Sequence, residues 1–149
     1  MPAPPPSLRD RALKALTRRE YSRQELRAKL QPFADDPDEL EPLLDDLEKR
    51  GWLSEARFVE QLTTVRRRRF GAARILHDLR EKGVSDTALA AAQSQLKDSE
   101  VDVARAVWKK KFGTLPTTLA ERAKQTRFLA SRGFSAEAVH AVLKKSCED

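Results

Sequence analysis

Two histidines, one cysteine and 23 carboxylates are the residues that could carry bond chemistry in this chain of 149. A metal centre needs ligands at close spacing, and a nucleophile needs a base within reach. His77 and His140 stand alone, with no second ligand at metal-binding spacing. His77 and Asp78 are adjacent, so on a helix their side chains face different ways. Cys147 stands near the end of the sequence with no histidine close by. A single cysteine leaves no intramolecular disulfide and fits a reducing compartment. The acidic run DDPDELEPLLDDLE (35–48) alternates carboxylates with leucines. That is the pattern of the wet and dry sides of one helix, not of a metal cage. No Walker loop or glycine-rich phosphate cradle occurs. The sequence predicts a protein that is not an enzyme and has no metal or cofactor.

Anion binding is the chemistry that does stand out. RRRRFG (66–71) sets four arginines in a row before a phenylalanine and a glycine. At 100° per residue they sweep most of a helix circumference, so they cannot all face one flat ligand. Phe58, Leu62 and Val65 mark the buried direction. Arg69 falls on that side and is expected to pack through its stem. Arg67 points nearly opposite, and Arg66 and Arg68 flank it. Arg67 and Arg68 are therefore the freest to meet an anion, with Arg74 one turn into the next helix. The helix dipole favours cations at a C-terminus by about 0.3–1 kcal/mol each. It accounts for one or two arginines, not four. WKKKFG (108–113) repeats the form with Lys109, Lys110 and Lys111, and TRREYS (17–22) offers Arg18 and Arg19 before Tyr21. Arg127 and Arg132 complete the candidate set. Stacked in similar orientation, these runs would form a discontinuous basic strip for a phosphate backbone or an acidic protein groove. No aromatic stacking platform and no recognition helix stands out, so reading of base sequence is not expected.

The elements that must position these residues are helical. Ala, Leu, Arg, Glu and Lys dominate, glycine is low at 5, and aromatics make up 6%. Nine helices and no strand are expected. The first runs from Leu8 to Arg18 after a Ser7 cap. Ser22 and Glu25 open the second with a capping box, and Leu26, Leu30 and Phe33 line its face. Asp36 and Pro37 open the third, Pro42 falls in its first two turns, and Gly51 stops it. Ser54 caps the fourth. Ala72 to Gly83 holds the fifth, and Ser85 caps a sixth that carries Leu89 and Leu96. A seventh spans Glu100 to Phe112, an eighth runs from the Thr118/Glu121 box to Arg132, and Ser135 caps the ninth. Trp52, Phe58, Trp108 and Phe128 read as packing residues.

LREKGVSDTALAAAQSQL (79–96) and LASRGFSAEAVHAVLKKS (129–146) share a leucine, a glycine stop and a serine cap at an offset of 50. Leu30 falls 49 before Leu79. Such a period across three helical triplets is a repeat signature. The expected division is a disordered tail over 1–7, then helical repeats over 8–53, 54–98 and 99–149. Charge follows it. The first 53 residues hold 10 Lys and Arg against 11 Asp and Glu, residues 54–98 hold 9 against 6, and residues 99–149 hold 10 against 6. The last two repeats are thus net positive, as an anionic partner would require. The opening MPAPPPSLRD lacks the apolar run of a signal peptide, and no stretch approaches the roughly 20 apolar residues of a membrane span. A cytoplasmic location is expected, and no uninterrupted heptad seam demands a dimer.

YSRQELRAKL (21–30), LEKRGWLSEARFVEQLTTVRRRRFGAARILHDLREKGV (47–84) and RFLASRGFSAEAVHAVLK (127–144) together resemble the bacterial RecX family, the regulators of the RecA recombinase. The resemblance implies an all-α fold of three tandem three-helix repeats in a curved, elongated monomer. It implies a protein without covalent chemistry that lies in the groove of the RecA–DNA filament. There it would hinder filament growth and lower RecA's ATP hydrolysis, strand exchange and stimulated cleavage of the SOS repressor. It also implies binding to single- and double-stranded DNA without sequence preference. One departure is that the first repeat is net negative, with an acidic linker QPFADDPDEL (31–40) where the others have a Gly-x-Ser turn. A helix-turn-helix transcription factor and a scaffold for another acidic protein are the alternatives that the residues themselves leave open.

Overall fold

A computed structural model describes residues 3–144. Eight α-helices and two short 3-10 turns account for their regular structure, with no strand among them. The helices are α1 (Leu8–Arg18), α2 (Arg23–Leu30), α3 (Leu40–Lys49), α4 (Glu55–Arg66), α5 (Ala72–Glu81), α6 (Asp86–Lys111), α7 (Leu119–Ser131) and α8 (Ala136–Leu143). Hydroxyl caps start most of them. Ser7 and Ser22 form capping boxes with Asp10 and Glu25. Ser54, Ser85, Thr118 and Ser135 each accept from the backbone N–H three residues on. Each thus satisfies a donor that the first helical turn leaves without a partner.

The expected break between a sixth and a seventh helix is absent. Residues 97–100 (Lys-Asp-Ser-Glu) contain no glycine or proline. The Ser99 hydroxyl donates back to the Gln95 carbonyl at 3.3 Å. The helix therefore continues, and α6 is one rod of 26 residues, about 39 Å long. Pro37–Glu39 forms the 3-10 turn just before α3, so Pro42 meets a helix that starts later than Asp36 and Pro37 suggest.

Apolar side chains gather in three clusters. Leu26, Leu30, Leu44 and Leu47 centre the first, among α1, α2 and α3. Phe58, Ile75, Leu79 and Leu89 centre the second. Ala104, Leu129, Phe134 and Leu143 centre the third. Leu96 and Ala104 lie eight residues apart on α6, so its two buried faces are rotated by about 80°. The solvent-accessible surface, 10000 Å², exceeds the about 7,700 Å² expected of a compact chain of this mass. A string of three small cores has that consequence.

Three expected packing residues lie on the surface instead. Phe33 is 50% exposed because the chain turns into 3-10 geometry at Gln31 and leaves the face that buries Leu26 and Leu30. Val65 is 54% exposed, since α4 packs through Phe58 and Leu62 and ends one residue later. Trp52 is 42% exposed, with the Arg50 guanidinium 5.3 Å from its ring centroid. Trp108 and Phe128 do pack, against the third cluster.

The second and third helical groups meet by backbone. The Gly71 N–H donates to the Arg132 carbonyl at 2.7 Å, and the Ala73 N–H donates to the Gly133 carbonyl at 3.3 Å. A Cβ on Gly71 would lie 2.6 Å from the Gly133 carbonyl. Gly133 itself has φ +93. Glycine is needed at both positions, at one for space and at the other for space and conformation.

Candidate anion-binding site

Close approach at Gly71 brings the arginine turn against the turn between α7 and α8. α4 stops at Arg66, whose carbonyl accepts from both the Arg69 and the Phe70 N–H, at 3.0 and 2.9 Å. Beyond Arg66 the arginines follow a turn, so the helical projection that buried Arg69 does not apply. Arg69 is exposed. Arg68, Arg69, Lys110, Lys111 and Arg132 surround a groove of about 440 Å³ floored by Val107 and Phe128. A neighbouring concavity continues along α6 past Arg67, Ser99 and Val103, with Asp102 at its edge.

Phe70 organises this cluster. It packs on the second core. The guanidiniums of Arg74, Arg132, Arg69 and Arg66 stand 4.6, 5.5, 5.8 and 6.0 Å from its ring centroid. The ring's negative face offsets part of the repulsion among them. Arg132 also donates to the Arg69 carbonyl at 3.3 Å and covers the Phe128 ring at 4.8 Å. Lys111 Nζ stands 5.5 Å from that same ring. Aromatic rings thus hold the cations without neutralising them.

The candidates differ in how much charge they can offer an external anion. Arg68, Lys110 and Lys111 are exposed and have no carboxylate partner among the described residues. Arg67, expected to be free, donates to the Ser99 hydroxyl on α6, which turns its stem along the groove. Arg66 and Arg74 share Asp78, at 3.9 and 3.8 Å. One oxygen of that carboxylate, Oδ2, is buried without a hydrogen bond. Lys109 is exposed, and it and Arg127 lie outside the groove. Arg18 belongs to a different groove on the first helical group. Arg19 is committed to Glu25 at 3.2 Å and stacks on Tyr21 at 3.7 Å. The structure therefore joins Arg67, Arg68, Lys110, Lys111 and Arg132, and separates Lys109, Arg127, Arg18 and Arg19 from them. Sequence reasoning missed Arg69 and Phe70. The helix-stopping Phe-Gly pair was the available signal, since it ends the 100° rule before Arg69.

The two similar motifs are not equivalent in space. In RRRRFG the arginines pass into a turn, and Gly71, at φ −87, is the N-cap of α5. In WKKKFG the lysines fill the last turn of α6, and Gly113, at φ +73, follows the cap. One motif lines each side of the groove.

His77 and His140 are exposed, and His77 Nε2 lies 3.8 Å from Glu81 one turn on. Cys147 lies outside the described residues. Among those residues, no group of three or more His, Cys, Asp or Glu is arranged to hold a metal ion, and no helix is long and apolar enough to cross a membrane.

Successive three-helix groups with separate small cores, the second and third meeting beside a basic groove, define a helical-repeat protein. Residues 54–92 match the family model for the second three-helix domain of RecX, and residues 98–143 match that for the third. The chain is 46% identical over 144 residues to "Regulatory protein RecX" of Ralstonia nicotianae, covering 97% of this chain and 91% of that one. It is 48% identical over 138 residues to the protein of the same description in Leptothrix cholodnii, covering 93% and 88%. The crystal structure of RecX from Lactobacillus salivarius superposes with a TM-score of 0.78 at 17% identity, over 92% of each chain. The chain belongs to the RecX family of regulatory proteins.

Proposed function

We propose that this protein is a non-enzymatic inhibitor of the RecA recombinase. It binds the RecA–single-stranded DNA filament and limits its growth, ATP hydrolysis, strand exchange and SOS co-protease activity. The observation that carries this reading, beside family membership, is the groove where Arg68, Arg69, Lys110, Lys111 and Arg132 converge from two three-helix domains. Cations held on aromatic rings and left without carboxylates suit a phosphate backbone or an acidic filament surface. The main contacts are assigned to Arg67, Arg68, Arg69, Lys110, Lys111 and Arg132, with Arg66 and Arg74, which share Asp78, beside them and Lys109 and Arg127 at the margin. DNA of either strandedness binds without sequence preference, as no recognition helix stands out in the sequence. The protein acts as a cytoplasmic monomer, with domains over 8–53, 54–98 and 99–149. The three apolar clusters support that division.

RecA's ATP hydrolysis on single-stranded DNA tests the proposal, with this protein added below the RecA concentration. The salt is set where the protein alone no longer binds DNA, since phosphate contacts weaken steeply with salt. Inhibition there places the target on the filament. Inhibition confined to low salt would mean competition for DNA, and the inhibitor would be a plain DNA-binding protein.

A further inference from the structure

The first domain is net negative, yet its charges are sorted. Half of its ten Lys and Arg pair with carboxylates. Arg9 and Arg50 meet Asp46, Arg19 meets Glu25, and Arg27 and Arg23 meet Glu41. Arg23 also reaches Asp45 and Glu48. Of the five without a carboxylate partner among the described residues, four stand around one groove of about 320 Å³. They are Arg11, Lys14, Arg18 and Lys29, and no acidic residue lines that groove. Only Lys49 lies elsewhere. Arg11, Lys14 and Arg18 fall at i, i+3 and i+7 of α1 and form a row about 10 Å long. Lys29 faces them from α2.

Between the walls lie apolar atoms, from Ala15 and Leu30 at the floor and from Phe33, 50% exposed, at the rim. The Arg11 guanidinium lies 3.7 Å from the Phe33 ring centroid. An exposed aromatic at the edge of an apolar floor, within a ring of unpaired cations, matches a ligand that carries both negative charge and apolar side chains. We propose that this groove is a second binding site, and that it takes an acidic peptide segment of a partner protein with at least one apolar anchor. A nucleic-acid backbone would satisfy the cations but leave the apolar floor without an occupant. One face of the Phe33 ring is already covered by the Arg11 guanidinium, which a base would have to displace to stack there. The inference stands apart from the RecA reading, because it concerns a groove in another domain and a ligand defined by its own chemistry.

The test uses the full-length protein with two fluorescein-labelled probes followed by anisotropy. One is a short peptide of glutamates interspersed with leucines, and the other an oligothymidylate of equal charge. Arg18→Glu with Lys29→Glu reverses two groove cations, and Phe33→Ala removes the apolar rim. Lys49→Glu changes charge in the same domain outside the groove. The double reversal is expected to weaken peptide binding at least tenfold and Phe33→Ala several-fold. Lys49→Glu is expected to leave peptide binding unchanged, and oligothymidylate affinity should change less than twofold in the double variant. Circular dichroism checks that each variant keeps its helices. Absence of peptide binding, or equal loss in Lys49→Glu, overturns the proposal. So does a loss of oligothymidylate binding as large as that of the peptide, which would make the groove a nucleic-acid site.

Discussion

Charge on this surface acts only where the structure leaves it without a counter-ion. Arg19 and Arg68 look alike in sequence, each inside a basic run. Arg19 is tied to Glu25 and Tyr21, whereas Arg68 faces a groove with no carboxylate of its own. Reversal of Arg67 and Arg68 to glutamate is therefore expected to weaken DNA and filament binding by at least tenfold, with helicity on circular dichroism unchanged. Loss of helicity would sink the assignment of these side chains as contacts. The slope of log affinity against log salt should fall by about 0.7 for each single-strand phosphate that the variant no longer neutralises. Phe70→Ala probes the same cluster from within. It removes the ring that four guanidiniums share, so affinity should fall although no cation is removed. Stability should fall by about 3 kcal/mol as a partly buried aromatic is truncated. Little of this could be read from residue order. Four consecutive arginines mark a candidate anion site, but which of them are spent internally depends on Ser99 and Asp78, which are 32 and 12 residues from Arg67 and Arg66.

At the scale of the element, local signals were the legible ones. Ser7, Ser22, Ser54, Ser85, Thr118 and Ser135 each cap where their spacing predicts, because a hydroxyl and an N–H three residues on are all that a cap requires. Endings that depend on tertiary packing were not legible. The period of 50 suggested a boundary inside α6, yet nothing between Leu96 and Val101 breaks a helix. Joining the domains by a rod fixes the two walls of the groove relative to each other. Lys97 and Asp98 are exposed, so replacing both with glycine touches no core. The change is expected to cost about 1 kcal/mol from helix propensity, most of it from Lys97, since Asp is itself a poor helix former. Thermal unfolding followed by hydrogen exchange should then show α7 and α8 exchanging ahead of α4 and α5. The glycine junction gives a sharper contrast. Gly51 has φ +77 with nothing within 4 Å of an added Cβ, so Gly51→Ala should cost about 1 kcal/mol of backbone strain. At Gly71 a Cβ meets Gly133 backbone at 2.6 Å, and the two domains must separate to admit it. Gly71→Ala should therefore lower Tm more than Gly51→Ala, although Gly71 has an ordinary φ. It should also reduce DNA binding, which Gly51→Ala should not.

Across the whole molecule the two junctions differ in kind. The third domain joins the second by a continuous helix and paired backbone groups. The first joins it by polar side chains. Gln24 Nε2 donates to the Glu81 carbonyl at 2.9 Å, Arg57 meets Glu20 at 3.1 Å, the Glu20 N–H donates to Gln61, and Lys82 meets Glu25 at 3.2 Å. Burial alone would raise the Glu25 pKa. Hydrogen bonds from Arg19, the Ser22 N–H and Lys82 outweigh that effect and hold it below its usual 4.5. A carboxylate with a depressed folded pKa adds stability that is fully present above its unfolded value and is lost as pH falls through the folded one. The first junction should therefore hold at neutral pH and loosen below about pH 4.5, as the proton displaces both Arg19 and Lys82. Glu41 is held lower still, to about 2, first by Arg27 and then by Arg23. Its pairs with Arg27 and Arg23 lie within the first domain, so these should persist while the junction opens. Hydrogen exchange across a pH series reports the order, with protection of α4 and α5 amides facing α2 falling before that of α2 and α3. Glu25→Gln should remove the pH dependence at the junction and leave the rest. Should the second and third domains separate first on acidification, the ranking of the two junctions would be reversed. The rod and the Gly71–Gly133 crossing would then not be what holds the groove in shape.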